Sequence, residues 1–425
     1  MPKRRTATWR EPRIAGLRSP LNTVLAPLAL GVALLAGACG GDGPDARSAT
    51  VPGRTLTLYS SLPRSGPSAP MARAVLAGQR RALADAGGRA GPYKIRLVPL
   101  DSSKPGDERA WDPSQVAKGA GRAVDDPTTI AYLGELDLGG SAISLPVTSS
   151  ENVLQVSPAD GLTSLTRIPP ARPRATPDRL YPEGLPNFLR LVPHDLLQAR
   201  ALVRWAKDSG ARRVWIAGDP GVYGDELAAQ VSHLARRSGM AVLGEDLVPD
   251  PGGAAELAQS IVAERPDAAI YTGDVERGTA PLLDALTVLD PEMPVFASSA
   301  VTQAARSVGP AVRGRLHGVK PAFPVAHYPR SGRRVLRALA REDPATARAE
   351  ALYGYESVAL ALDAIEAAGP RPVTRAAVRR AALEPRRRRS AIGTYRVGPH
   401  GEVSSPGYPR YIIRGAKLSP PARPR

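Results

Sequence analysis

The stretch TLTLYSSLPRSGPSAPMARAVLAGQRRALADAGG (residues 55–88) contains the first complete structural unit of this 425-residue chain. Residues 55–61 alternate β-forming and apolar side chains and predict a strand, whereas residues 68–88 carry apolar side chains at helical spacing and end in glycine. Between them, LPRSGPS is rich in the residues that turns require. The unit is therefore a strand joined to a helix by a short turn.

This unit recurs on both sides of a proline-rich interruption at residues 166–188. Short links join the alternating strands and helices, which predicts βαβ units and parallel sheets. The prolines of the interruption exclude a helix or a central strand there, so we expect a surface loop near a domain boundary. The predicted strands are residues 55–61, 93–101, 129–135, 153–158, 212–219, 241–249, 267–274 and 293–299, and the predicted helices are residues 68–88, 111–126, 141–152, 194–210, 222–240, 254–266 and 278–289.

The two series predict an α/β protein with two Rossmann-like lobes, each built on a parallel sheet. The length agrees with this, because 425 residues exceed what one hydrophobic core usually supports. The last third differs: long helices are predicted at 345–369 and 374–384, and strand-like runs near 392–398 and 408–415. We expect these helices to complete the first lobe and the final strands to return to the second.

The formal net charge of +17 raises the question of a nucleic-acid partner. Residues 1–38 carry a net charge of +5, and lysine is scarce throughout the chain. Abundant Ala, Arg, Pro and Gly with few Lys is the pattern of a biased genome composition, so we predict no nucleic-acid partner. The alternative is attraction to an anionic surface or ligand, which would require the Arg residues to fall on one face.

The only cysteine, Cys39, follows a segment with the three parts of a secretory signal: a basic beginning, an apolar run at 21–35 and small residues at 36–38. The run is shorter than the roughly 20 residues of a membrane-spanning helix, so we expect its removal. Cys39 resembles the lipobox cysteine of bacterial lipoproteins, whose thiol is acylated. The alternative is an ordinary signal peptide cleaved nearby, but the Gly- and Pro-rich tether that follows favours lipidation.

The ordered motifs of the chain resemble a known family. They are LYSSLPRSGPS, LVPLDSS, AWDPSQVAKGAGRAVDD, IAYLGE, GGSAISLPVTSSENVLQVSPADGLTSLT and VWIAGDPGVYGDELA. In this order and spacing, from about Thr55 to Arg414, they resemble the leucine/isoleucine/valine-binding group of periplasmic solute-binding proteins, which has the type I periplasmic binding protein fold. In that family a three-crossing hinge joins the lobes.

The resemblance implies the domain organisation. It comprises a lipoprotein signal peptide at 1–38, a flexible tether at 39–54, lobe one at 55–190 and 318–384, lobe two at 191–317 and 385–415, and a disordered tail at 416–425.

The resemblance also implies the function: an extracytoplasmic protein, lipid-anchored to the cell membrane through Cys39, that passes a small polar solute to ABC permease subunits. No cofactor or metal is expected. The five histidines are dispersed, and there is no Walker loop, G-x-S-x-G elbow or H-E-x-x-H motif. We therefore predict that the protein is not an enzyme, since a lipid-anchored hydrolase has only a general cleft in its favour.

Ligands of open α/β sheets bind beyond the carboxyl ends of the strands, and this places the candidate ligand-binding residues in the loops there. Tyr223 matches a family position where an aromatic side chain covers the ligand, although packing at the hinge is the alternative role. The candidates are Tyr223, Ser141, Ala159, Asp160, Asp274 and Ser299.

Several of these positions depart from the amino-acid binders of the family. Leu138 lies near the place of a hydroxyl that holds the ligand carboxylate, and Asp160 would repel a carboxylate unless it is turned away. Ser299 lies where the family has an acidic partner for the ligand ammonium, and Asp274 is a substitute from the neighbouring loop. A cationic or neutral polar ligand is therefore an alternative to an amino acid. A sensory or protein-interaction lipoprotein without transport is the alternative function.

Overall fold

The computed structural model describes residues 50–106, 109–136, 138–182, 184–248, 251–369, 373–404 and 406–420. All of them belong to one compact unit, Gly43–Arg425. Cys39, the predicted signal peptide and most of the predicted tether lie outside the described residues. None of the helices in the described part is both long enough and apolar enough to cross a bilayer.

The described residues alternate strands and helices much as the sequence predicts. The strands are β1 (Thr55–Leu62), β2 (Arg89–Ala90), β3 (Tyr93–Asp101), β4 (Thr129–Leu133), β5 (Leu154–Ser157), β6 (Phe188–Arg190), β7 (Arg213–Gly218), β8 (Ala241–Leu247), β9 (Ala268–Tyr271), β10 (Val295–Ala297), β11 (Arg315–Val319), β12 (Arg387–Ser390), β13 (Gly393–Arg396), β14 (Arg410–Arg414) and β15 (Lys417–Ser419). The helices are α1 (Ala69–Asp85), α2 (Pro113–Asp125), α3 (Ser141–Ser150), α4 (Asp195–Asp208), α5 (Val222–Arg237), α6 (Ala254–Ala263), α7 (Thr279–Leu289), α8 (Ser299–Gln303), α9 (Ala305–Val308), α10 (Arg330–Glu342), α11 (Glu350–Ala367) and α12 (Arg375–Leu383).

Two sheets form the centres of two lobes. The first has the strand order β2-β3-β1-β4-β5-β6 and is parallel except for β2 at its edge. The second has the order β15-β14-β11-β10-β9-β7-β8 and is parallel except for β14 and β15. The predicted α/β fold with two lobes is confirmed.

The chain crosses between the lobes three times: after β6, after β11, and between β13 and β14. After the second crossing, α11 packs against α1 of the first lobe. A side-chain carbon at Gly78 would lie 1.9 Å from the carbonyl oxygen of Ala351, and one at Gly354 would lie 2.1 Å from that of Val75. Glycine at both positions lets the two helix backbones approach each other directly.

The structure corrects the predicted lobe boundary at residue 385. The hairpin β12–β13 was expected in lobe two, but Tyr395 is buried in the core of lobe one. Its hydroxyl donates a hydrogen bond to Glu356 of α11 (2.6 Å), and Arg388 forms an ion pair with the same carboxylate. This buried acid draws the arginine-rich segment onto lobe one.

The predicted disordered tail at 416–425 also needs correction, because Lys417–Ser419 forms β15. This strand pairs antiparallel with β14, Ile413 lying opposite Leu418. Residues 421–425 lie outside the described part of the chain.

We predict that Gly354→Ala destabilises the protein by about 1–3 kcal/mol, because the new methyl group would overlap the Val75 carbonyl and force α1 and α11 apart. Urea unfolding measures the change. Gly121→Ala in α2 is the matched control: apart from its chain neighbours and the adjacent backbone of its own helix, no atom lies within 4 Å of its added carbon, so we expect a gain of up to about 1 kcal/mol. Equal stability of the two variants would contradict this account of the helix crossing.

Candidate functional site

Loops from the two lobes contact each other at the carboxyl ends of the parallel strands. A side-chain carbon on Gly139, which follows β4, would lie 3.4 Å from the backbone nitrogen of Tyr223 at the start of α5. The indole N–H of Trp111, which precedes α2, donates a hydrogen bond of 3.2 Å to the Asp274 carboxylate after β9. The predicted site residues therefore lie at a junction of the two lobes.

In the first lobe, the structure brings Asp160 and Ser141 together. The Asp160 carboxylate accepts hydrogen bonds from the backbone N–H groups of Gly139 (3.1 Å), Ser141 (2.9 Å) and Leu162 (3.1 Å). Two of these donors lie at the start of α3, where backbone N–H groups and the helix dipole favour an anion. Asp160 is thus turned toward these donors, and its own carboxylate occupies them. Ala159 is buried beside it.

In the second lobe, Tyr223 and Ser299 belong to one hydrogen-bonded network. The two hydroxyls are 3.2 Å apart, and the Tyr223 hydroxyl donates to Gln198 Oε1 (3.1 Å). Gln198 Oε1 also accepts the backbone N–H of Ser299 (2.6 Å), and its amide donates to Asp195 (2.6 Å). The Tyr408 hydroxyl donates to Asp195 as well (2.7 Å). These side chains are hydrogen-bonded to one another, so Tyr223 packs inside the second lobe, as the alternative role requires, and also lies at the junction.

Asp195 is the carboxylic acid of this network. It is 1% exposed, and its Oδ2 has no hydrogen-bond partner among the described residues. Burial and the nearby Asp160 and Glu226 carboxylates raise the pKa of Asp195 to about 7. A side-chain carbon at Gly161 would lie 2.6 Å from the Asp195 carboxylate. Only glycine at 161 leaves room for this acid.

Asp274 lies at a separate part of the junction from the Tyr223 network. Its backbone N–H donates to the Asp219 carboxylate (2.5 Å), which also accepts the N–H of Gly221 (2.6 Å). Burial and the Asp219 charge raise the pKa of Asp274 to about 7. The Asp274 side chain keeps partial exposure, so it is an acid at the edge of the junction that a cation could reach.

Further contacts between the lobes involve Glu226 of α5 and the proline-rich segment 166–188. Glu226 accepts the backbone N–H groups of Thr163 (2.8 Å) and Ser164 (3.3 Å) from lobe one. Arg172 of the proline-rich segment pairs with Asp225. The segment therefore lies across the boundary between the lobes.

Acidic side chains dominate the junction. Six carboxyl groups lie in these loops and at the helix starts, and burial raises the pKa of each of them. None forms an ion pair with Lys or Arg among the described residues; the buried Arg190 pairs instead with Glu402 at 3.1 Å. The junction acids are Glu135, Asp160, Asp195, Asp219, Glu226 and Asp274. Such a cluster favours a positively charged group over a negative one.

Sequence reasoning missed several side chains at the junction. Trp111 is the first residue of the helix predicted at 111–126 and lies two residues before α2, and Asp195 and Gln198 lie in the first turn of α4, so their positions next to loops could have indicated them. No such signal indicated Tyr408, because this residue belongs to the third crossing, which is distant in the sequence. Among the described residues, no group of three or more His, Cys, Asp or Glu side chains could hold a metal ion.

Solved structures with similar folds include solute-binding proteins. The leucine-binding protein of Thermotoga maritima is 20% identical, with a TM-score of 0.71 over 86% of this chain and 98% of that one. A solute-binding protein of an ABC transporter from R. palustris, solved with benzoate, is 15% identical, with a TM-score of 0.70 over 86% and 95%. A Desulfitobacterium hafniense substrate-binding protein in complex with Leu is 18% identical, with a TM-score of 0.66 over 86% and 99%. No curated protein matches the sequence.

The family model named Periplasmic binding protein matches residues 60–410, from within β1 to the first residue of β14. Members of this family bind substrates for transport and act outside the cytoplasm. The predicted resemblance is confirmed, and the chain belongs to the periplasmic binding protein family.

Proposed function

We propose that this chain is a lipid-anchored solute-binding protein that captures a small polar solute between its lobes and delivers it to an ABC importer. The observation that carries the proposal is the junction itself, where loops from two parallel sheets place buried polar side chains opposite each other. The family match and the fold shared with proteins solved with leucine and benzoate support it. We expect the solute to be an amino acid or a related compound of similar size.

The charges of the junction narrow the solute class. Asp160 uses the N–H groups of Gly139 and Ser141, so a solute carboxylate finds no free donor there. Asp195 and Asp274 offer carboxyl oxygens that an ammonium or amide N–H group could contact. A cationic or neutral polar solute, such as an amine or an amide, fits these groups better than a free acid does.

Binding would be coupled to lobe closure. A solute that contacts both lobes stabilises the arrangement in which they meet, and a membrane partner can read that arrangement. Contacts such as Trp111 to Asp274 and Glu226 to Thr163 cross the same boundary. They would open when the solute enters and re-form around it.

The proposed anchor is a lipid on Cys39. Two acyl chains give stable membrane attachment, whereas one gives only marginal binding. The tether at residues 39–54 would then keep the lobes beside the permease subunits on the extracytoplasmic face of the cell membrane.

A sensory or protein-interaction lipoprotein is the second candidate. It is favoured by Asp160, which satisfies the donors at the start of α3 without any solute. Adjacent genes for a permease and an ATPase favour transport, whereas an isolated gene or a neighbouring kinase gene favours the second function.

We predict that purified protein beginning at Asp42 gains thermal stability with polyamines or amides and not with leucine or benzoate. In the Asp160→Ala variant, the donors of Gly139 and Ser141 become available, so a response to leucine or benzoate should appear. Thermal-shift assays over a metabolite panel measure both effects. Asp178→Ala removes an exposed acid of the same lobe and should behave like the unaltered protein.

A wild-type response to carboxylates alone would contradict the role assigned to Asp160. No response to any solute in the panel would favour the sensory function over transport.

The pH dependence gives an independent prediction. Burial raises the pKa of both Asp195 and Asp274 to about 7, so each carries its full negative charge only above that pH. Affinity for a cationic solute should therefore rise between pH 6 and pH 8, by roughly tenfold for each group that must ionise. Isothermal titration calorimetry in buffers of different ionisation enthalpy should also detect proton release. Affinity that falls over this range would exclude the two acids as cation partners.

The anchor is tested by Cys39→Ser in the native host. We expect the unaltered protein to incorporate labelled palmitate and to sediment with membranes. The variant should lose the label and leave the membrane fraction. Continued sedimentation and labelling of the variant would contradict lipidation at Cys39.

A further inference from the structure

A pocket lies beside the crossing that follows β11, and its charge is basic, unlike that of the acidic junction. Its volume is about 830 Å³, and residues of both lobes line it. None of the six predicted ligand-binding residues is part of its wall. Six cationic side chains line it together with one carboxylate, that of Glu350: Arg306, Arg315, Lys320, Arg348, Arg414 and Lys417.

Three of these cations form a row across neighbouring strands. Arg315 of β11 lies directly opposite Arg414 of β14, and Arg414 lies directly opposite Lys417 of β15. Like charges directly opposite each other in a sheet are destabilising. All three side chains are exposed, and within the described part of the chain none has a carboxylate partner. These three cations therefore make no ion pair that would stabilise the sheet.

The two cations at the deep end are arranged differently. Lys320 donates to Glu350 (2.8 Å), and Arg348 lies 3.5 Å from the other oxygen of the same carboxylate. Burial alone would raise the pKa of Glu350, but the charges of Lys320 and Arg348 outweigh it and lower that pKa to about 2. Glu350 therefore stays ionised and balances one cation, while the other charges of the pocket remain uncompensated.

We propose that this pocket binds the phosphate group of an anionic ligand. Guanidinium groups pair with phosphate oxygens through two parallel hydrogen bonds, and Arg315 and Arg414 extend from directly opposite positions of β11 and β14. The volume lies in the range of small-ligand sites. A bound phosphate would relieve the repulsion within the row.

The position of the pocket gives the anion a structural effect. Arg348 precedes α11 of lobe one, whereas Arg315 and Arg414 belong to the sheet of lobe two. An anion between them would stabilise the lobe arrangement described here relative to others. Anion binding in this pocket would thus affect the lobe arrangement independently of solute binding at the acidic junction.

Two sources could supply the phosphate: a soluble phosphate ester, or the headgroup of an anionic phospholipid in the membrane to which the protein is proposed to be anchored. Isothermal titration calorimetry with inorganic pyrophosphate tests the first source. Co-sedimentation with vesicles of phosphatidylglycerol and phosphatidylcholine, against pure phosphatidylcholine, tests the second.

We expect pyrophosphate or the phosphatidylglycerol vesicles to bind the unaltered protein, and Arg414→Ala to weaken binding by about tenfold. Arg237→Ala, which removes an exposed cation of the same lobe outside the pocket, should bind as the unaltered protein does. Pyrophosphate binding alone identifies a soluble ligand, and vesicle binding alone identifies a headgroup.

The proposal is overturned if neither probe binds, or if Arg414→Ala and Arg237→Ala weaken binding equally, since that would reflect net charge only. Because Arg414 is exposed and opposes another cation, its loss should not lower the melting temperature without the anion, so misfolding does not confuse the result. The acidic junction is unchanged in both variants, and their response to polyamines or amides separates a failure of this proposal from a failure of the solute-binding function.

Discussion

The direct contact of α1 and α11 is the constraint on which the arrangement of the lobes depends. With glycine at 78 and 354, the two backbones meet without side chains between them, and the chain that left lobe one after β6 is brought back to it. This return fixes the second crossing, and with it the position of Lys320 next to Glu350. It also presents Glu356, onto which the arginine-rich hairpin closes.

Local patterns were sufficient to predict most of the α/β alternation. The unit at residues 55–88 appears as β1 and α1 because its periodicity and turn residues all act within a few positions. Strand β13 lies within the strand-like run predicted near residues 392–398, but β12 was missed, since its arginines find a partner only when Glu356 approaches from a different part of the chain. Long-range charge pairing overrode a local signal.

The location of the candidate residues could be predicted from the sequence, but their contacts could not. Parallel strands place their following loops at one edge, so the sequence could locate Ser141, Asp160, Tyr223 and Ser299 there. The direction of the Asp160 side chain depends on backbone N–H groups about twenty residues earlier in the chain, which no pattern encodes. The Gln198 bridge between Tyr223 and Ser299 likewise exists only after α4 has packed.

The hydrogen bonds that the N–H groups of Thr163 and Ser164 donate to Glu226 affect the rate at which the lobes separate. Each is a hydrogen bond that water can replace, and such exchanges change stability by only about 1 kcal/mol apiece. Separation of the lobes must break these bonds together with the contacts from Trp111 to Asp274 and from Arg172 to Asp225. Motions of this kind occur on microsecond to millisecond timescales, so solute residence time would depend on the solute's own contacts.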